Sequence, residues 1–215
     1  GLNPLLQDPG MIVHPPLLYS GYVGFVVVFA LALAAISQKK YDRAWLVPAR
    51  LVASIAWMLL TAGIVLGSWW AYRELGWGGF WGWDPVENAS LLPWLTGTAL
   101  IHLLTMKSNQ RYHHQLILLF AALCFFLSIL GTFLLRSGLV ISVHAFAQDP
   151  GRGLVLLLML ALIIFVCLYH AYQKIKVLES LPKAPSTPTQ KIIHAQAWLF
   201  AIAAATVLLG TIYPL

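Results

Sequence analysis

Residues 77–94 read WGGFWGWDPVENASLLPW, an aromatic and glycine-rich segment that leads directly into an apolar run. Six of the chain's nine tryptophans fall within residues 69–94. Asp84, Pro85 and Glu87 supply an N-cap, a proline at the first helical position and an acid at the third, which together predict the start of a helix. The segment is therefore predicted to be a loop that ends where a helix begins.

Apolar runs of about 20 residues, the length that crosses a bilayer core as a helix, lie on both sides of this loop. Hydrophobic residues make up 60% of the 215 and charged residues only 9%, whereas a soluble domain carries about 25% charged residues. We therefore predict an all-α, polytopic integral membrane protein with about six transmembrane helices in a single membrane domain over residues 1–215. The predicted spans are residues 16–37, 51–70, 88–106, 115–135, 153–173 and 193–212.

Lysine and arginine are unevenly distributed between the two sides of the predicted membrane. Ten of the 13 basic residues follow the first, third and fifth spans, and three lie on the opposite side. Cytoplasmic loops carry the excess of basic residues, so the aromatic segment is predicted to face outward. The net charge of +6 thus reflects topology and indicates no nucleic-acid partner. The predicted outer segments are residues 1–15, 72–88 and 137–152, and residues 174–191 form a cytoplasmic linker.

Two interpretations of the aromatic segment remain open from the residues alone. Tryptophan is enriched at membrane–water interfaces, so the segment could be part of an aromatic belt. However, four aromatic residues within residues 77–83 alternate with glycines, which allow rings to lie flat and a large ligand to approach the backbone. A porphyrin would need such an apolar surface. Capping of the following helix explains Asp84 and Glu87 better than general acid or base catalysis does.

The quoted segment resembles the WWD signature of haem-handling proteins that build c-type cytochromes, and its continuation DPVENAS resembles the CcmF family, of which NrfE is a close relative. Residues 3–25 (NPLLQDPGMIVHPPLLYSGYVGF) and 131–150 (GTFLLRSGLVISVHAFAQDP) are similar to that family too. The resemblance is to the central section of the family's chain. Because the chain also opens at Gly1 rather than methionine, we expect it to be part of a longer protein.

The resemblance implies a haem lyase component that binds haem b and presents it for thioether attachment to apocytochrome c. It implies a multi-pass location in the bacterial inner membrane with the site facing the periplasm, although catalytic residues cannot be identified. The implied partners are apocytochrome c, a haem chaperone of the CcmE type and CcmH/CcmI-type subunits. The alternatives are a haem transporter or chaperone-loading WWD protein and, less well supported, a membrane b-type electron carrier.

Two histidines are predicted to lie on the same side as the aromatic segment. His14 precedes Pro15 and Pro16, which favours an extended conformation where the first helix begins, and His144 follows the fourth span. Neutral imidazole is a common axial ligand of haem iron. The resemblance implies that His14 and His144 are the two external haem ligands.

His102 differs because it lies about 20 Å along the third helix from its outer end. An ionisable residue at that depth is a functional candidate, or a neutral histidine hydrogen-bonded to Thr98 or Thr105. The resemblance implies that His102 binds the iron of a second haem in the membrane. His194 is the local alternative for a partner ligand, and a poor one.

The remaining assignments concern aromatic and charged residues near the outer site and histidines at the inner side. The resemblance makes Trp77, Trp81, Trp83 and Asp84 part of the haem-binding loop. Arg136 and Arg73 are predicted either to pair with haem propionates or to extend to the membrane surface. His113, His114 and His170 are predicted to be solvated or interfacial.

Overall fold

The structure, a computed structural model, describes residues 4–38, 43–76, 78–108, 110–142, 149–178 and 185–213. These residues form a short 3-10 helix and six α-helices, one for each predicted span, which confirms the all-helical polytopic fold. The helices are η1 (Pro4–Leu6), α1 (Gly10–Gln38), α2 (Arg43–Glu74), α3 (Pro85–Thr105), α4 (Arg111–Ser137), α5 (Pro150–Leu178) and α6 (Pro188–Ile212).

Within the described residues, four helices, α1, α2, α4 and α6, are long and apolar enough to cross a membrane. The apolar part of α5 is shorter, at Gly151–Cys167. Helix α3 carries Glu87 and Asn88, both buried, and it lies between α2, α4 and α6 with more than half of its residues buried. Polar residues are accommodated in α3 because protein surrounds most of it rather than lipid.

Helices α1 and α2 approach closely because small residues occupy their contact. A Cβ added at Gly63 would lie 2.7 Å from the Leu18 nitrogen, and one added at Gly24 would lie 2.5 Å from the Ala56 Cβ. Small residues spaced by about one helical turn allow this approach between membrane helices. The backbone of α2 is thereby accessible to side chains of α1.

The contacts between helix ends show an up-and-down arrangement. At the end that carries residues 75–84, which we call the loop end, Asp8 and Arg73 form a 3.1 Å ion pair. At the opposite end, the Gln110 Nε2 donates to the Pro185 carbonyl at 2.6 Å. Successive connections therefore lie at alternate ends of the helices.

Several helix ends differ from their predicted positions. Helix α1 begins at Gly10, because the Asp8 Oδ1 accepts from the Gly10 N–H at 2.7 Å and caps the first turn. His14 is therefore helical, and its predicted extended conformation is wrong. Pro15 and Pro16 lie inside the helix, where each removes one backbone donor without ending it.

The connections are shorter than the predicted loops. The segment between α2 and α3 comprises residues 75–84 rather than 72–88, and we call it the aromatic loop. Helix α5 extends to Leu178 and α6 begins at Pro188, capped by Thr187, so both helices enter the predicted linker 174–191.

Candidate functional site

The aromatic loop ends in the predicted helix cap. The Val86 N–H donates to the Asp84 Oδ2 at 3.0 Å, and the Glu87 Oε2 accepts from the N–H groups of Asp84, at 3.4 Å, and Gly82, at 2.8 Å. This confirms the capping box. The Ser142 Oγ also donates to the Asp84 Oδ2 at 2.6 Å. Asp84 therefore joins the aromatic loop to the segment after α4.

The two described tryptophans that were assigned to the site form a contacting pair. The rings of Trp81 and Trp83 meet edge to face, with centroids 6.4 Å apart. Trp81 is half-buried, whereas 65% of Trp83 is exposed. Next to them, Phe80 stacks on Tyr72 of α2 at 4.6 Å. Trp77 lies outside the described residues. The loop thus exposes aromatic surface, and ring contacts between Trp81 and Trp83 and between Phe80 and Tyr72 support that surface.

His14 contacts the backbone of α2 rather than solvent alone. Its Nδ1 lies 2.6 Å from the Gly63 carbonyl oxygen, and a carbonyl can only accept, so Nδ1 is the donor. In the neutral imidazole the acceptor nitrogen is then Nε2. This backbone hydrogen bond fixes both the tautomer and the orientation of the ring.

Gly67 makes that hydrogen bond possible. A Cβ at Gly67 would lie 2.5 Å from the His14 Cε1 and 2.7 Å from its Nδ1. A side chain one turn beyond Gly63 would therefore displace the ring. This contribution of Gly67 was not predicted, although the four-residue spacing of Gly63 and Gly67 in GIVLG is a signal for close helix approach.

Two cavities adjoin His14. One of about 260 Å³ is lined by His14, Tyr22, Gly131 and Arg136 among others. The other, of about 40 Å³, is lined by His14, Trp81 and Glu87 among others. The structure thus brings three of the predicted site residues together, because His14 shares one cavity with Arg136 and the other with Trp81.

The two arginines at the loop end have different surroundings. Arg73 pairs with Asp8 and lies over the Trp69 ring, 4.9 Å from its centroid. These contacts explain Arg73 without haem. Arg136 lines the larger cavity beside His14, at the end of α4, which terminates at the left-handed Gly138.

His144, the second assigned external ligand, lies outside the described residues. The chain is described as far as Ser142, which contacts Asp84 of the aromatic loop. The described chain resumes at Asp149, whose N–H donates to the Arg136 carbonyl at 3.1 Å. Both ends of the segment that contains His144 are therefore attached near the candidate site.

His102 is exposed on α3, and its Nδ1 donates to the Thr98 carbonyl at 2.7 Å, the contact given by the second of its two interpretations. The Thr98 hydroxyl accepts from the Trp57 indole at 2.9 Å, and Trp57 stacks on Trp94. These contacts fix the orientation of His102. Within the described ranges, no group of three or more His, Cys, Asp or Glu residues could hold a metal ion.

The prediction that His113 and His114 are solvated or interfacial is wrong. Both are buried, with 0% and 1% exposed. The His113 Nε2 donates to the Leu103 carbonyl at 3.1 Å, and its Nδ1 lies 3.0 Å from the His194 Nε2. The first turn of α4 is enclosed by α3 and α6, and charge patterning cannot reveal that packing. His194 is thereby paired with His113 rather than with His102.

Comparison with known proteins identifies the family. The model of the family described as "Cytochrome C assembly protein" matches residues 1–141. The chain belongs to the cytochrome c assembly protein family. The family assignment confirms the resemblance that was based on the aromatic segment and its flanks.

Within this family, the chain is similar to two curated proteins named cytochrome c-type biogenesis protein CcmF. It is 50% identical over 214 residues to the protein of Pseudomonas aeruginosa and, over the same number, 50% identical to that of Haemophilus influenzae. Each match covers 100% of this chain and 33% of the relative. The chain thus spans about a third of the length of the curated relatives it matches.

A solved structure named cytochrome c heme lyase CcmF has a similar fold. Its TM-score is 0.69 at 33% sequence identity, over 97% of this chain and 31% of that one. The sequence similarity to the CcmF proteins and the similarity of fold to this structure agree that the chain is a membrane protein of the CcmF type.

Proposed function

We propose that this chain is the haem-binding section of a cytochrome c haem lyase, which holds haem b at the loop end and presents it for covalent attachment to apocytochrome c. The observation that carries the proposal is the orientation of His14. Its Nδ1 donates to the Gly63 carbonyl, so Nε2 carries no proton in the neutral ring. An unprotonated imidazole nitrogen is the atom that binds iron. Trp81 lines a cavity with the same imidazole.

The described residues fit one side of a haem site. His14 and His144 would hold the iron of the haem, and Trp77, Trp81 and Trp83 would contact the porphyrin. Asp84 holds the loop, and Arg136 pairs with a propionate. The cavity of about 260 Å³ is smaller than typical pockets of about 300–1,000 Å³, so haem would lie against the exposed loop.

Two features of the chain support His144 as the second ligand. It follows Ser142 by two residues in the sequence. Ser142 is hydrogen-bonded to Asp84 at the end of the aromatic loop. The described chain that precedes His144 is thus attached to the aromatic loop, which supports the assignment.

The chemistry of attachment requires positioning rather than a nucleophile from this chain. Each cysteine thiol of the apocytochrome adds across one vinyl group of the substrate haem. The S–H and C=C π bonds break. Sulfur bonds to one vinyl carbon, and the hydrogen from the thiol forms a C–H bond to the other. The chain would hold the vinyl edge toward the thiols and exclude water, and such positioning lowers the barrier by several kcal/mol.

We extend the proposal to a second haem within the membrane, bound by His102. Its imidazole is exposed on α3 and has its Nδ1 fixed as a donor by Thr98. The partner ligand would come from outside the described residues, because His194 is paired with His113. The proposed partners are apocytochrome c, a haem chaperone of the CcmE type and CcmH/CcmI-type subunits.

The proposal places this single membrane domain in the bacterial inner membrane with the loop end facing the periplasm. Cysteines introduced at Gly79 and Lys107 test that orientation, because both lie outside the helices at opposite ends of α3. With intact inner membranes exposed to a membrane-impermeant thiol reagent from the periplasmic side, Gly79→Cys should react and Lys107→Cys should not. Labelling of Lys107→Cys but not of Gly79→Cys would show that the proposed orientation is the wrong way round.

The haem-binding role is tested by replacing Trp77, Trp81 and Trp83 together with alanine in the natively expressed protein. Aromatic contacts are each worth about 0.5–1.5 kcal/mol beyond burial, so the triple variant should bind haem at least about tenfold more weakly. Haem content and holocytochrome c should fall together, while the protein still reaches the membrane.

Trp198→Ala is the matched control, because Trp198 is 43% exposed on α6 and donates to the Tyr112 hydroxyl away from the aromatic loop. It should retain haem and holocytochrome formation. A triple variant with full haem and activity would refute the proposal and leave the loop as an aromatic belt. Haem transfer without thioether formation by the wild type would favour a transporter.

A further inference from the structure

The backbone of Trp83 is held in an unfavourable conformation. Its φ is +56°, and it is the one non-glycine residue with positive φ among those described. Gly76 and Gly78 of the same loop also have positive φ, but glycine adopts that region readily. For a bulky residue it costs about 1–2 kcal/mol and persists only where surrounding groups hold it in place. Some contact must therefore hold the Trp83 peptide.

Glu87 accepts from the N–H groups of Gly82 and Asp84 on either side of Trp83, and the Asn88 side chain holds the Trp83 carbonyl itself. Its Nδ2 donates to the Trp83 carbonyl at 3.1 Å and to the Thr211 Oγ1 at 3.1 Å. The orientation of the amide is determined, because a backbone carbonyl can only accept and so requires the NH₂ group. Only 6% of Asn88 is exposed, so water has little access to replace either bond. Both amide protons are thus used, one on the loop and one on α6.

Thr211 fixes the other end of this connection. Its hydroxyl donates to the Val207 carbonyl at 2.7 Å, so its oxygen is available to accept from Asn88. Thr211 is itself 5% exposed and lies in the last turn of α6. Three consecutive hydrogen bonds therefore run from the backbone of α6 to the backbone of the aromatic loop.

We propose that Thr211 and Asn88 are positioning residues that hold the Trp83 peptide in its left-handed conformation and thereby set the orientation of the Trp81–Trp83 pair. The last turn of α6 thus supports the aromatic loop, although the two are more than 100 residues apart in sequence. The consequence for haem rests on the proposed function. The conformational part does not, because it depends only on contacts within the protein.

The test is Thr211→Val, which removes the hydroxyl while keeping the shape of the side chain. The natively expressed protein is labelled with 5-fluorotryptophan, and the ¹⁹F resonance of Trp83 is identified by its absence in Trp83→Phe. Thr211→Val should shift that resonance and raise the dissociation constant for haem between about twofold and about tenfold, the range for one lost hydrogen bond. Asn88→Ala should shift the same resonance further.

Two control variants separate positioning from general destabilisation. Thr206→Val removes another hydroxyl of α6, one that is exposed and bonded to the Ile202 carbonyl, and it should leave the Trp83 resonance and haem binding unchanged. Thr211→Ser should restore both. An unchanged Trp83 resonance in both Thr211→Val and Asn88→Ala would overturn the inference. A shifted resonance in a protein whose wild type binds no haem would uphold the positioning and refute the haem proposal.

Discussion

Replacement of His14 by alanine is expected to weaken haem binding at the loop end more than any other single substitution among the described residues. The imidazole is fixed by the Gly63 carbonyl, so the substitution removes both the proposed ligand and the contact that orients it. Changes to groups that only support a metal ligand typically cost 10- to 100-fold in affinity. Loss of the ligand itself should therefore exceed about 100-fold, measured by haem titration of the purified protein and by its absorption spectrum.

Added imidazole provides a direct control for this prediction. The His14→Ala variant leaves a space beside Gly63 and Gly67, in which free imidazole can bind in place of the missing ring. Millimolar imidazole should restore binding to His14→Ala and have little effect on the wild type. His102→Ala should leave the loop-end haem unchanged. Wild-type affinity in His14→Ala without imidazole would exclude His14 as a ligand.

The sequence predicted best those features that depend on neighbouring residues. Asp84 and Glu87 form the expected capping box, because the donors and acceptors of a cap lie within three residues of each other. Each apolar run likewise became a helix. The start of α1 was missed because Pro15 and Pro16 suggested a boundary, whereas Asp8 caps the helix further upstream.

Features that depend on packing between helices could not be predicted in the same way. The partner of His14 is 49 residues away at Gly63, and the partner of His113 is 81 residues away at His194. Nothing local distinguishes a buried histidine beside Arg111 from a solvated one. The family could thus be recognised from the aromatic segment and its flanks, whereas the surroundings of the individual side chains could be seen only in the folded structure.

Gly67→Ala is expected to separate stability from haem binding. Alanine favours a helix by about 1 kcal/mol over glycine, which offsets the loss of the hydrogen bond from His14, so the free energy of unfolding should stay close to that of the wild type. The new Cβ, however, would lie 2.5 Å from the His14 Cε1, and the nearest atoms belong to a side chain that can move. The imidazole should therefore be displaced from Gly63, and the haem affinity should fall between about 10- and 100-fold.

Gly210→Ala is the matched control, because it is a helical glycine of α6 near the loop end with nothing within 4 Å of an added Cβ. It should gain the same helix propensity without loss of haem. Thermal unfolding and haem titration of both variants, in the same detergent, measure the two effects separately. Added imidazole should not rescue Gly67→Ala, since the displaced His14 ring and the new methyl group occupy the space that rescue requires. If Gly67→Ala binds haem as tightly as Gly210→Ala, the hydrogen bond from His14 to Gly63 does not orient His14 for the proposed binding of iron.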